Sequence, residues 1–226
     1  MTAATILTLA NGKGIDLTNP RPEDIDFAVI AEHLAKENRY NGATPRIKYT
    51  VAQHSIIGAD QAMEDTGNVQ LAGYFLLHDG KEAFLKDDTT PKKRALAEIA
   101  AQEFGILAEE IIGAFYMLEE RFDAAIHAAA GLAWPPPPAL QDAIKAYDLM
   151  MFVTEWRDLM RGIEHPNWEP YRHIDPLPRT IAPWGWQQAR KAFESRCRLY
   201  LPAFAKPHLG TLVSGIAESI GQSGAL

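Results

Sequence analysis

The sequence predicts an all-α fold, a bundle of about seven helices behind a small N-terminal β-hairpin. Apolar residues recur at helical spacing in long stretches, and glycine, asparagine and proline separate these stretches. The chain has 226 residues, 47% of them hydrophobic, which is enough to bury a substantial core. Because the sequence contains no repeat and no linker that would split it, we expect one domain over residues 1–226.

The predicted hairpin lies at the start of the chain. Residues 6–9 and 15–17 have the composition of short strands, and residues 11–14 between them contain two glycines that suit a turn. No chemistry is indicated here, so we expect the hairpin to be a structural cover.

Helical periodicity accounts for most of the remaining chain. Over residues 24–38, Phe27, Ile30 and Leu34 recur on one face while charged residues occupy the other. Prolines 135–138 form a rigid break that presets the first turn of the helix beginning at residue 139. The other helices are predicted over residues 51–64, 69–85, 91–104, 108–130, 139–161 and 185–201.

Two segments fall outside these helices. Residues 166–183 are rich in proline and aromatic residues, which indicates an ordered connection over the surface and not a flexible linker. The C-terminal tail, residues 203–226, is rich in small residues from position 210 onward, and the sequence leaves its order and role open.

Charge and composition exclude several kinds of partner. The formal net charge of −7 argues against a nucleic-acid polymer, because proteins that bind one usually carry a basic stripe. A small anionic substrate is compatible, since it responds to the local field of a metal ion and a few cationic side chains. The sequence shows no secretory signal and no apolar run long enough to span a membrane. We therefore expect a soluble, cytoplasmic protein with no membrane partner.

The pair His78-Asp79, which follows the apolar run of residues 71–77, is the most informative feature of the chain. A buried, unpaired charge at that point would cost several kcal/mol. A divalent cation would offset this cost, because imidazole and carboxylate are both good ligands for it. His54 and Asp148, on two other predicted helices, are the candidates for the remaining ligands. Two nitrogens and two carboxylates suit one divalent transition-metal ion, namely Mn, Co, Fe, Ni or Zn.

The sequence leaves alternatives open for each ligand. Asp142 and Glu155 lie on the same predicted helix as Asp148, so either can be the acidic ligand instead, and Glu155 can also support a ligand from behind. His54 alone would also fit a hydrogen-bonded core histidine. The pair at 78 and 79 would also fit a helix end whose side chains bond to backbone.

The four candidate ligands resemble the pattern of the HD-domain metal-dependent phosphohydrolases. The flanking segments Arg39-Tyr40, Tyr49 to Ser55 and Leu77 to Ala83 are similar to a subgroup that includes bacterial 5'-deoxynucleotidases and small phage deoxynucleoside triphosphohydrolases. The resemblance covers roughly residues 6–161. It implies an HD-domain helical bundle with its core over residues 22–161 and hydrolysis of a phosphate ester at a metal site.

The resemblance also implies roles for five further residues. Glu82 corresponds to the general acid/base, Arg39 to a phosphate contact and Tyr40 to a ring beside the base or sugar. Asp87 corresponds to an acidic residue that disfavours a 2'-hydroxyl, and Lys93 to a second phosphate contact. Glu82 would also fit a solvated glutamate, Arg39 a surface arginine, Tyr40 a core tyrosine and Asp87 a turn or capping residue. Residues 80–81 and 86–88 depart from the family pattern, which puts the loop shape beside the site in doubt.

Three functions remain in competition at this point. The leading hypothesis is a metal-dependent phosphohydrolase that releases phosphate from deoxynucleoside 5'-monophosphates, and the second releases triphosphate from a deoxynucleoside triphosphate. The third is a non-catalytic nucleotide-binding module. In each case the partner is a small nucleotide. The resemblance also implies that copies of the chain can form a homo-oligomer.

Overall fold

A β-hairpin precedes the helices in the computed structural model, which describes residues 5–45, 47–160 and 169–205. Strand β1 (Ile6–Thr8) pairs antiparallel with β2 (Gly14–Asp16), so that Ile6 lies opposite Asp16. The turn between them contains Gly12 with a φ of 80°, a value that glycine adopts without strain. The predicted hairpin is therefore confirmed.

Eight α-helices follow within the described residues, and they confirm the all-α class. They are α1 (Phe27–Lys36), α2 (Val51–Thr66), α3 (Val69–Leu77), α4 (Glu82–Leu85), α5 (Thr90–Phe104), α6 (Ala108–Ala130), α7 (Pro138–Leu159) and α8 (Trp186–Tyr200). None of the helices in the described part of the chain is both long and apolar enough to cross a membrane.

Side chains fix the starts of the first three helices, two of which lead to the site. Asp26 accepts a hydrogen bond from the Ala28 amide at the start of α1, and Thr50 accepts one from the Gln53 amide at the start of α2. Asn68 caps α3 in the same way. Each of these oxygens satisfies an amide that has no partner inside its helix, which stabilises the helix by about 1 kcal/mol.

The structure corrects one prediction, the single helix over residues 69–85. The chain leaves the α-helix at Leu77 and turns tightly through residues 78–81, then resumes as the short helix α4. The amide of Gly80 donates to the carbonyl of Leu77 at 2.8 Å, and that of Glu82 donates to Asp79 at 3.0 Å. A Cβ at Gly80 would lie 2.9 Å from the Leu77 carbonyl oxygen, so this turn requires glycine. Residues 78–82 carry no apolar side chain, but apolar residues resume at 83–85, and this short gap favours the prediction of one helix.

The core forms where α1, α2, α3 and α8 pack together. Helices α2 and α3 approach closely at Gly58, where a Cβ would lie 2.1 Å from the ring of Phe75. Helix α8 covers α1, and α5 packs mainly against α6 at one side. The two helices with the most extensive contact, α2 and α3, position three of the predicted metal ligands: His54 lies in α2, and His78 and Asp79 directly follow α3.

The described part of the proline-rich connection is ordered, as predicted. The backbone amide of Leu177 donates to the Thr154 hydroxyl at 2.8 Å, and Gln53 bonds to the backbone of Ala182 and Trp184. These contacts fasten the connection to α2 and α7. Residues 161–168 of the predicted helix end and connection, and residues 206–226 of the predicted tail, lie outside the described residues.

Candidate metal centre

Three helical segments bring His54, His78 and Asp148 together, and one ligand atom from each lies within 4.8 Å of the others. His54 comes from α2, His78 from the end of α3 and Asp148 from the middle of α7. The Nε2 atoms of the two histidines are 3.2 Å apart, and Oδ1 of Asp148 lies 3.4 Å from Nε2 of His54. This group can hold a metal ion.

Asp79 adjoins the same point, and we call the four residues together the ligand cluster. Its Oδ2 atom lies 3.2 Å from Nε2 of His78 and 3.7 Å from Nε2 of His54. Neighbouring side chains in a regular helix point about 100° apart, so the tight turn after α3 is what allows His78 and Asp79 to face one point. Arg39 donates to the same Oδ2 atom at 3.0 Å and holds it in place.

Hydrogen bonds behind the imidazoles orient them. Nδ1 of His54 donates to Oε1 of Glu155 at 2.6 Å, and Nδ1 of His78 donates to the carbonyl oxygen of Phe75 at 2.6 Å. With the proton on Nδ1, each ring turns an Nε2 lone pair toward the other. Two facing lone pairs at 3.2 Å repel unless a cation lies between them.

The spacing and charge of the ligand cluster both fit a divalent ion. Ligands bound at about 2.0–2.2 Å with tetrahedral or octahedral angles lie about 3.0–3.4 Å apart. The two nitrogens lie 3.2 Å from each other and 3.2, 3.4, 3.7 and 3.8 Å from the carboxylate oxygens, so the longer two separations are slightly above this range. Asp79, Asp148 and Glu155 carry three negative charges, and Arg39 carries one positive charge, which leaves two negative charges unbalanced.

Protonation equilibria reflect this excess of negative charge. Burial lowers the pKa of His78, but Asp79 and Asp148 outweigh burial and raise that pKa to about 10. Burial likewise raises the pKa of Asp79 and Asp148, yet the nearby imidazoles hold the pKa of both carboxyl groups far below the usual range. In the absence of another cation, a proton on His78 therefore supplies a positive charge within the ligand cluster.

Glu155 connects the back of the ligand cluster to α7. Its carboxylate is fully buried and accepts from Nδ1 of His54, from Nε of Arg39 at 3.1 Å and from the Tyr40 hydroxyl at 2.6 Å. Glu155 thus supports His54 from behind and is not one of the three residues that could together hold an ion, and the other alternative, Asp142, is exposed on α7. Of the three acidic candidates, Asp148 is the one in the ligand cluster.

Arg39 and Tyr40 lie beside the site, but their polar groups contact protein. The guanidinium bonds to Glu155 and Asp79, and those carboxylates raise the pKa of Arg39 in spite of the burial that lowers it. Tyr40 has a φ of 56°, a backbone conformation that costs a tyrosine about 1–3 kcal/mol. The hydrogen bond to Glu155 helps to hold it there, a role that the sequence did not indicate.

Glu82 begins α4, one turn beyond the ligand cluster. Its Oε2 atom is buried and has no hydrogen-bond partner within the described residues. Burial, followed by the charges of Asp79 and Asp87, raises the pKa of Glu82 well above its ordinary value. Burial also raises the pKa of Asp87, whose carboxylate accepts from the Tyr40 amide. Both acidic residues therefore lie on the Arg39 side of the site.

Lys93, the second predicted phosphate contact, is paired with a residue outside the site. It lies in α5, and its ammonium group forms an ion pair with Glu119 of α6. Lys81, for which the sequence predicts no contact, adjoins the ligand cluster: its Nζ donates to the His78 carbonyl at 2.8 Å and pairs with Asp123 at 3.2 Å. The sequence pattern does not indicate this contact, because Lys81 lies within the segment 69–85 that is predicted as one helix.

Two relatives share part of the chain. An uncharacterized protein of Rhodobacter capsulatus is 32% identical over 145 residues, which are 62% of this chain and 65% of that protein. The uncharacterized protein YfdR of Escherichia coli is 28% identical over 170 residues, 75% of this chain and 79% of that protein. The chain thus spans just under two thirds of the Rhodobacter relative. No family model matches the chain, and neither name states an activity.

Proposed function

We propose that the protein is a divalent-metal-dependent phosphohydrolase that converts deoxynucleoside 5'-monophosphates to nucleoside and phosphate. The observation that supports the proposal is the convergence of two imidazole nitrogens and two carboxylates from three helical segments, with a buried glutamate one turn away. A structural metal site needs no such glutamate, because it is complete with its ligands and their supporting residues.

The residues of the chain would divide the reaction between them. His54, His78, Asp79 and Asp148 would hold the ion, which when bound neutralises phosphoryl oxygens and acidifies water. Glu82, whose pKa burial and the charges of Asp79 and Asp87 raise well above its ordinary value, would either protonate the leaving 5'-oxygen or, when ionised, accept the proton of the attacking water. Arg39 would keep Asp79 in place while its remaining N–H groups approach the phosphate.

Product identification tests the proposal. Protein supplied in turn with Mn, Co, Ni, Fe, Zn and Mg is incubated with deoxynucleoside mono- and triphosphates, and the inorganic product is identified. We expect orthophosphate from the monophosphates. Triphosphate as the product would replace this proposal with a triphosphohydrolase, and nucleotide binding without turnover under every condition would replace it with a binding module.

A matched pair of substitutions on α7 tests the site itself. Asp148→Asn should lower the bound metal, measured by elemental analysis, well below one ion per chain and abolish turnover. Asp142→Asn changes the same kind of residue on the exposed side of the same helix and should leave both unchanged. Full metal content and turnover in Asp148→Asn would exclude the ligand cluster as the active site.

A further inference from the structure

A cavity of about 420 Å³ lies beside the ligand cluster, on a side that the sequence did not indicate. It is bounded by α3, α6, α7 and the loop between α6 and α7, and its wall includes the ligands His78 and Asp148. The residues predicted to contact substrate are not among the described residues that line it. Its volume falls within the range of about 300–1,000 Å³ typical of small-molecule sites.

Three aromatic rings form one wall of this cavity. The ring of His127 stacks on Tyr74, with centroids 5.5 Å apart, and lies 4.4 Å from the ring of Trp134. The Tyr74 hydroxyl donates to the carbonyl of Ala133, and the Trp134 indole donates to Glu120. The polar atoms of both side chains are thus bonded to protein. Trp134 is half-buried whereas Tyr74 and His127 are buried, so Trp134 presents its ring to a ligand.

His127 adds a hydrogen-bond acceptor to this wall. Its Nδ1 donates to the Asp123 carbonyl at 2.7 Å, and burial lowers the pKa of His127 to about 4, so the ring is neutral. In this tautomer Nε2 carries a lone pair, and within the described residues no group donates to it. An amino or imino hydrogen of a heterocycle has the complementary chemistry.

A cation completes the cavity at its α7 side. Lys145 lines the cavity one helical turn before the ligand Asp148, and its side chain is exposed. Within the part of the chain that the structure describes, no carboxylate pairs with Lys145. Since the chain carries a formal net charge of −7, a lysine without an acidic partner beside the ligand cluster is suited to an anionic group such as a phosphate.

We propose that this cavity is the subsite for the nucleobase of the substrate, with the ring of Trp134 stacked on the base and Lys145 contacting the phosphate. The inference rests on the proposed function and specifies which side of the ligand cluster the substrate occupies. Tyr40, the ring predicted to lie beside the base or sugar, does not line this cavity, and its hydroxyl is bonded to Glu155. Stacking discriminates weakly among bases, because every base has a π-face.

Binding of uncharged deoxynucleosides tests the subsite without metal or turnover. Isothermal titration calorimetry of the full chain should show that Trp134→Ala weakens binding about tenfold or more, while Trp134→Phe keeps it within about threefold. Trp186→Ala is the matched control, since Trp186 lies on α8 against Lys36 and should leave binding unchanged. Lys145→Glu, an exposed position that should not affect folding, should raise KM for the monophosphate about tenfold and leave nucleoside binding unchanged.

The outcomes separate this inference from the proposed function. Nucleoside binding that depends on Trp134 in a protein without hydrolase activity would reject the function and keep the subsite. Hydrolysis by the wild-type protein, with nucleoside binding and KM unaltered in Trp134→Ala, would keep the function and reject the subsite. If Trp134→Ala does not fold, as judged by circular dichroism, the Lys145→Glu result decides. Failure of the wild-type chain to bind any deoxynucleoside at millimolar concentration, or an unchanged KM in Lys145→Glu, would overturn the subsite.

Discussion

Glu155→Gln tests how the ligand cluster is held in place. The substitution preserves the shape of the side chain but removes a buried negative charge that accepts hydrogen bonds from His54, Arg39 and Tyr40. A glutamine oxygen can still accept from His54, but its NH₂ group then faces the N–H of Arg39. The guanidinium is left with one carboxylate, Asp79, at 3.0 Å.

The expected magnitudes follow from the burial of the pair. Removing one partner of a buried ion pair costs about 3–5 kcal/mol. Because Asp79 and the His54 hydrogen bond both remain, we expect the lower end, a loss of about 3 kcal/mol in the free energy of unfolding. A residue that orients a metal-bound histidine from behind changes metal affinity by about 10–100-fold, so Mn²⁺ binding should weaken by that factor.

Chelator-treated protein should first be unfolded in urea, which measures stability apart from metal, and then titrated with Mn²⁺ by calorimetry. Glu64→Gln is the control, because Glu64 pairs with Arg179 at 2.8 Å while its side chain is 67% exposed. That change should cost about 0.5 kcal/mol or less. Equal stability of the two variants would refute the assignment of a buried charge network. An unchanged Mn²⁺ affinity in Glu155→Gln would refute its role behind His54.

Three further predictions concern catalysis, acid stability and packing. Glu82→Gln should lower kcat about 100-fold or more at full metal content, and a kcat within tenfold of wild type would exclude a proton-transfer role. Because the pKa of His127 falls to about 4 in the folded state, its contribution to stability is complete above pH about 6.5 and declines by about 3 kcal/mol as the pH falls to about 4. In His127→Gln the stability should fall less steeply between these pH values, and parallel urea-unfolding curves for the two proteins would contradict this. Gly58→Ala should destabilise the fold by about 1–3 kcal/mol, because its Cβ would collide with Phe75. Gly113→Ala is the control, since it has open space and should stabilise α6 by about 0.5–1 kcal/mol. Equal melting temperatures of the two variants would contradict the close packing of α2 and α3.

The helices and the hairpin could be predicted because their signals are local. Phe27, Ile30 and Leu34 follow helical periodicity, and α1 indeed occupies Phe27–Lys36 within the predicted range. The break after Leu77 could not be predicted in this way. Apolar residues resume at Ala83 and Phe84 after only five polar or glycine positions, which also fits the polar face of one continuous helix, and only Gly80 marks the tight turn.

For the site, residue types could be predicted better than partners. The ligand chemistry of His54, His78 and Asp148 predicts them as candidates, and the fold brings them together from positions 24 to 94 residues apart. The contacts of Glu155 and Lys93 depend instead on how α7 and α5 pack, which a sequence pattern does not encode. The cavity at Trp134 was missed because its wall is assembled from three helices and a loop, and no one of these segments carries a motif.

The close approach at Gly58 links core packing to the chemistry of the site. The ring of Phe75 that occupies this contact has its centroid 4.4 Å from that of the His78 imidazole and 5.9 Å from that of His54, and the Phe75 carbonyl accepts a hydrogen bond from Nδ1 of His78. One phenylalanine thus transmits the fit between α2 and α3 to both nitrogen donors. Variants that alter this interior contact should therefore change thermal stability and the metal affinity of the ligand cluster together, even though none of them replaces a candidate ligand.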